Sequence, residues 1–419
     1  MKSPALDYPC DIYTWTRLYL FFIDLDINIR IIMEESEGDR GEADETEEME
    51  QGEPEESADA EEMEDGELAD KQEDEYFKSY AELSIQRTML LDKVRIEAYK
   101  RAIFSRPDLF NDKIVVDVGA GTGVLSVLCA MAGAKKVYAV EASQGLIPIL
   151  TSVIHDNGFD GIIEVIAEEV EEVDLPEKVD VIVSEWMGHF LLHEAMLESV
   201  INSRRFLKHD GVMVPHSATI YAALCDIPSV ASSWSYVCGV NLCSASAIFR
   251  YQAAYHPCIE QLRDEDLLSD SKILASFDIK TVTTPQLHEI RKQFIFRCNK
   301  NGNLEGICLW FDVDLIDNIK LSTSPKDAET HWKQTIILFP GPIQVCKDDQ
   351  VYVQLTMNRA SGRLYVISVE MVNPKSDNTE EGTPSNVPSE SIKPGVSNES
   401  GYSAQEPDDD VISVEDAEE

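Results

Sequence analysis

The chain has 419 residues, 78 of them Asp or Glu against 35 Lys or Arg, a formal net charge of −43 at pH 7. That length exceeds one ordinary domain of roughly 100–200 residues, so two folded units plus tails are expected. Specific nucleic-acid binding, which needs clustered Lys and Arg against phosphates, is excluded as an expectation, while basic peptide partners suit the charge.

Near the start, the apolar run 18–23 is cut by Asp24 and Asp26, far short of the ~20 residues of a membrane-spanning helix, and no membrane contact is expected. No basic n-region or small-residue cleavage site frames it as a signal peptide. Met33, directly ahead of the acidic tract, is a candidate start. Residues 34–75 hold 23 acidic and two basic side chains. Self-repelling charge with little apolar content cannot offset the entropy of ordering, so 1–75 reads as a disordered acidic leader, with 1–33 of unsettled status.

Residues 89–102 place Leu90, Val94, Ala98 and Ala102 on one helical stripe, predicting a single helix there. Short β-branched runs come next at 113–118, 137–141, 161–166 and 179–183, separated by helical stretches at 124–132 and 145–155. Such alternation predicts a parallel, helix-covered sheet within 76–215. Beyond Pro215 the strand-like segments 219–224, 294–297, 307–313, 335–339, 351–357 and 364–372 have no helices between them, so 216–375 reads as an all-β domain. Residues 226–258 fit neither pattern and read as an inserted segment whose aromatic side chains pack on something. The tail 376–419, with 13 acidic residues and one basic, reads as disordered. Within it Val411-Ile412-Ser413-Val414, flanked by acids, is similar to a SUMO-interacting motif that adds a strand to a partner. Nine cysteines without a Cys-x-x-Cys pair suggest neither disulfides nor a zinc site, and no metal is expected.

Asp117-Val118-Gly119-Ala120-Gly121-Thr122-Gly123 comes after a predicted strand and opens a helix, the context in which glycines let a ligand approach the backbone. Glu141 ends the next strand, where a carboxylate can accept both ribose hydroxyls of an adenosine. The third glycine comes one residue too early for a dinucleotide site. Asp117 beside the turn would repel phosphates but tolerate a cationic methionine moiety, which favours S-adenosylmethionine. Ser184-Glu185-Trp186-Met187-Gly188 and Glu194 lie just after the fourth strand. Two facing carboxylates there can hold a planar guanidinium in a fork.

Together with Tyr76-Phe77-Lys78-Ser79-Tyr80 and Thr330-His331-Trp332-Lys333-Gln334, these motifs resemble the protein arginine N-methyltransferase family over about residues 76–372. The resemblance implies an α/β fold: a Rossmann-like S-adenosylmethionine-binding sheet, then a barrel-like β domain with an inserted helical dimerisation arm at 226–258, between disordered tails. It implies that Glu185 and Glu194 bind the substrate guanidinium and that His331 and Trp332 close the other side, His331 paired with Asp92. Tyr80 and Met89 would line the arginine pocket. Gln86, Arg95, Gly119, Gly121, Glu141, Ala142 and Glu171 would hold the cofactor, Arg95 through the methionine carboxylate and Glu171 on the adenine side. Gln86 stands where many members have His, and unlike His it cannot become cationic.

The resemblance also implies type I chemistry: S-adenosyl-L-methionine is converted to S-adenosyl-L-homocysteine, and histone tails and other Arg-rich proteins gain monomethyl and asymmetric dimethylarginine. The general base is unassigned. A homodimer and residence in the nucleus, with cytoplasm as the other compartment, are implied in the same way. The alternative is a non-catalytic coregulator or scaffold that retains the fold. Against it stands the survival of Glu185, Glu194 and His331 together.

Overall fold

A computed structural model describes residues 30–32, 76–227, 236–245 and 257–372, apart from Ser79 and Ser361, together with Ile248 and Arg250. Strand β1 (Arg30–Ile32) pairs parallel with the last strand of the β half, and it falls within 1–33, the stretch whose status the sequence leaves unsettled; the acidic tract that follows it lies outside the described residues. The motif at Val411–Val414 and most of the acidic residues lie outside the described residues.

Helix α1 (Leu83–Leu91) is followed by α2 (Lys93–Ser105), so the single helix expected over 89–102 is two. Asp92 divides them, with an extended backbone (φ −70°, ψ 92°) and a side chain that caps α2 by accepting the Arg95 amide. An Asp satisfies an orphan N–H at a helix start better than it serves a helix interior. Ala98 and Ala102 of the expected stripe are buried, whereas Leu90 is exposed.

After α3 (Pro107–Phe110), the chain alternates β2 (Ile114–Val118), α4 (Val124–Met131), β3 (Lys136–Val140), α5 (Ile147–Asp156) and β4 (Ile163–Ile166). Strand β5 (Val179–Ser184), α6 (Leu197–Ser203) and β6 (Leu207–Val214) complete this half. The five strands are all parallel, in the order β4-β3-β2-β5-β6. Every residue of β2 is buried, as a central strand covered on both faces requires. The four expected strands are present. Strand β6 is not legible from periodicity, because Lys208, His209 and Asp210 break its apolar pattern and its pairing with β5 shifts register between Val179 and Val181.

The second half begins at β7 (Ser217–Cys225). The expected arm region contains, among the described residues, the hairpin β8 (Tyr236–Val237) and β9 (Val240–Asn241) and helical residues at 243–245. Next in the chain are β10 (Cys258–Glu260), β11 (Lys272–Asp278), α7 (Thr284–His288), β12 (Glu289–Arg297), β13 (Gly302–Ile316), β14 (Ile319–Ser322), β15 (Gln334–Val345), β16 (Gln350–Arg359) and β17 (Tyr365–Met371). One sheet runs β10-β15-β13-β7-β11 with β14 beside β13, and the other runs β1-β17-β16-β12. Long β13 serves two cores by its period of two. Ile307, Leu309, Phe311 and Val313 join the main core shared with the parallel sheet, while Cys308 and Trp310 enter a smaller one with Ala223 and Ile336. The continuous main core packs the two halves against each other.

Candidate active site

A cavity of about 330 Å³ opens where β2, β3 and β5 end, the edge at which parallel sheets present their loops to ligands. The aromatic stretch around Tyr76–Tyr80 and helix α1 cover it, the loop after β5 walls it, and His331 and Trp332 close it from the β half.

On one side is the glycine turn. Gly119, Gly121 and Gly123 all have left-handed backbones (φ 70°, 56° and 86°), a region a side chain makes costly. A Cβ on Gly119 would lie 2.2 Å from the Met196 Cε, and one on Gly123 would lie 2.6 Å from a Leu150 methyl. The Glu141 carboxylate, buried at the end of β3, accepts the Gly121 amide and the Ser143 amide at 2.7 Å each. Burial pushes its carboxyl above the usual range, against those amide bonds. Gln86 is buried and ties α1 to the aromatic stretch by donating Nε2 to the Tyr80 carbonyl at 3.0 Å. Ala142 and Glu171 line the cavity, Glu171 exposed to solvent.

Of the expected cofactor residues, one lies behind the cavity wall and another is already paired within it. Asp117 is fully buried behind the turn and does not line the cavity. It accepts Ser126 Oγ at 2.6 Å and so pins α4 to β2, and burial pushes its carboxyl up to about 7. Arg95 does line the cavity, but it donates Nε to Glu185 Oε2 at 2.7 Å and Nη1 to the Met89 carbonyl at 3.1 Å. The expected carboxylate partner of Arg95 is here a side chain of the acceptor site.

On the other side, Glu185 and Glu194 both face the cavity. Glu185 also accepts the Met187 amide through Oε1 at 3.1 Å, which fixes its plane. Glu194 accepts the Tyr80 hydroxyl at 2.5 Å. Burial pushes the Glu194 carboxyl up to about 7; the Tyr80 bond opposes this, the Glu185 charge adds to it, and Arg363 opposes it. The loop that presents Glu194 is unusual in its backbone: Phe190, Leu191, Glu194 and Ala195 all have positive φ, from 44° to 77°. Trp332 is buried, with Nε1 donating to the Met187 carbonyl at 2.8 Å, and its ring lies 4.0 Å from that of His331. Asp92 Oδ2 accepts the His331 amide at 2.9 Å and meets its Nδ1 at 2.7 Å. Burial would raise the Asp92 carboxyl, yet the His331 bonds and the Arg95 amide hold it below the usual range.

A buried carboxylate on a glycine cradle and, across the same cavity, the carboxylate pair Glu185 and Glu194 fit a sulfonium cofactor beside a guanidinium. Known proteins agree. Residues 116–214 match the model of a methyltransferase domain, and residues 216–372 match that of the arginine methyltransferase oligomerization subdomain. The chain is 37% identical to protein arginine N-methyltransferase 6 of Xenopus laevis over 301 residues, covering 69% of this chain and 87% of that one. The chain belongs to the protein arginine N-methyltransferase family.

Solved members of that family carry the same architecture. The Trypanosoma brucei PRMT1 enzyme-prozyme heterotetrameric complex with AdoHcy superposes with a TM-score of 0.63 at 30% identity, covering 71% of this chain and 96% of that one. The PRMT6-SAH crystal structure superposes at 0.62 and 28% identity, covering 70% and 100%. Within this methyltransferase, the structure brings Glu185, Glu194, His331, Trp332, Tyr80, Met89, Gln86, Arg95, Gly119, Gly121, Glu141, Ala142 and Glu171 to one cavity. Among the lining residues that sequence reasoning missed are Met196, His189 and Arg363. Met196 has no local signal, since its role is to fill the space a Gly119 side chain would take. His189 lies inside the double-Glu loop, its Nδ1 3.3 Å from the Trp332 carbonyl. Arg363, in the turn between β16 and β17, carries nothing in its own neighbourhood that points to a site.

Proposed function

We propose that this methyltransferase transfers methyl groups from S-adenosylmethionine to the guanidinium nitrogens of arginine in Arg-rich proteins such as histone tails. Monomethyl and then asymmetric dimethylarginine are the products. The observation that carries this reading is the presence of Glu185 and Glu194 in the same cavity as the Gly119–Gly121 cradle and Glu141. When bound, the cofactor supplies an activated sulfonium methyl group. The chain's own residues do the rest. Glu185 and Glu194 grip the guanidinium and concentrate its charge on the nitrogens turned toward them, leaving another nitrogen free for in-line attack. Glu141 accepts from the ribose end, and Gly119 and Gly121 allow close backbone approach. Trp332 and the aromatic stretch exclude water. His331, oriented by Asp92, stands at the mouth as a group able to receive the proton the guanidinium loses.

The assembled site offers no support to a scaffold lacking catalysis. A homodimer is part of the proposal, supported by the oligomerization-subdomain match and by apolar surface at Leu83, Leu90 and Leu91 on α1 and at Val240 and Ile248 in the arm region. Action on histones would take place in the nucleus. The test is incubation of the full chain with labelled S-adenosylmethionine and a histone-tail or Gly-Arg peptide, with products resolved by mass spectrometry beside Glu194→Gln. Asymmetric dimethylarginine, lost in the variant, is the expected result. Symmetric product would remove the type I assignment, and cofactor binding without transfer would restore the scaffold reading.

A further inference from the structure

The turn between β16 and β17 brings Arg363 to the mouth of the arginine site, 169 positions in sequence from the Glu194 it touches. Its guanidinium carbon lies 4.2 Å from the centroid of the Tyr76 ring and 5.2 Å from that of Phe77. Nη1 donates to the Glu194 carbonyl at 3.3 Å. One side chain from the β half thus contacts both the aromatic stretch that covers the cavity and the loop that presents a guanidinium-binding carboxylate.

That loop needs external restraint. Non-glycine residues at positive φ persist only where surrounding structure over-determines them, and four of them cluster at 190–195. We propose that Arg363 is a positioning residue that clamps the Tyr76–Phe77 cover to the Glu194 loop, so that substrate-arginine affinity depends on a side chain of the β half. This rests on the reading of Glu194 as a guanidinium-binding group. A planar, delocalised cation is required, because it can stack on the rings and donate from its edge at once; a lysine keeps the charge but not the plane. The Arg363 charge also favours the ionised form of Glu194. Facing the same carboxyl are Tyr76 and Tyr80 from the cover and Glu185 from its own loop. Arg95 is held on Glu185, and His189 and His331 lie across the cavity.

Wild type, R363K and R363A are compared for kcat and KM on a Gly-Arg peptide from pH 6 to 9, with S-adenosylhomocysteine affinity measured by calorimetry. For R363A we expect peptide KM to rise ~10-fold or more and the acid limb of kcat/KM to move upward by roughly half a unit to one unit. R363K should bring the limb back toward wild type while KM stays high, since charge returns without the stack. Wild-type KM and an unmoved limb in R363A overturn the proposal. So does a loss confined to kcat and thermal stability with both readouts unchanged, which is what a merely structural residue would give. If R363A does not fold, R363Q takes its place and the same two readouts decide. No transfer by wild type despite cofactor binding sinks the arginine-transfer reading itself, an outcome separate from any difference among the variants.

Discussion

Glu194 carries the largest functional demand on any single group. To grip a guanidinium it must be ionised, yet its carboxyl is pushed up to about 7 by burial and the nearby Glu185 charge. In the free enzyme kcat/KM should therefore fall as pH drops through about 7, because the protonated form loses its charge-assisted bonds. A bound guanidinium favours the carboxylate, so the limb in kcat should lie lower. A pH profile flat down to 5.5 would contradict this. Glu194→Gln removes the charge while keeping the shape, and a loss on the order of a hundredfold or more in kcat/KM is expected. At the cradle, Gly119→Ala places a methyl 2.2 Å from Met196 Cε at φ 70°. Cofactor affinity, read by calorimetry, should drop while overall folding survives, since the end of Met196 can move but the left-handed backbone stays strained.

Among the elements, the break between α1 and α2 joins stability to function. Asp92 caps α2 through Oδ1 and holds His331 through Oδ2. Asp92→Ala should cost about 1–2 kcal/mol by losing the cap, with reduced turnover from an unanchored His331. Asp92→Asn retains a capping oxygen, so denaturant melts should show most of the stability restored while the rate stays low. Equal stability loss in both variants would mean that the His331 contact, and not the cap, dominates. The same break shows why a helical stripe across 89–102 is only half correct: Ala98 and Ala102 are buried on α2, but Leu90 belongs to a different axis.

Across the whole molecule, the arm region is tied to the β half by a buried ion pair, Arg250 Nη2 to Glu305 Oε1 at 2.5 Å, with Glu305 Oε2 also accepting the Ile227 amide. Glu305→Ala leaves a buried guanidinium without its anion, a change of about 3–5 kcal/mol. If the arm makes the dimer, sedimentation should show a shift toward monomer at concentrations where the wild type stays associated; an unchanged association state would separate the arm's anchoring from oligomerisation. The net charge of −43 predicts in addition that KM for a basic peptide rises with ionic strength, because steering by exposed acids is screened within about 10 Å at 0.1 M salt.

The alternating strands and helices from 114 to 166, the glycine turn, Glu141, the paired glutamates and the change to a strand-rich second half were determined by the sequence alone, whereas the short helix α7 inside that half was not. Periodicity, residue type and short spacing are local properties, and they suffice where an element is long and buried on both faces. Tertiary structure alone decided that Asp117 lies behind its turn, that Arg95 rests on Glu185, that β6 joins the parallel sheet and that Arg363 reaches Glu194. Each of these depends on which face a side chain takes once strands pair, or on two stretches far apart in the chain meeting in space, and neither is written in the residues next to it.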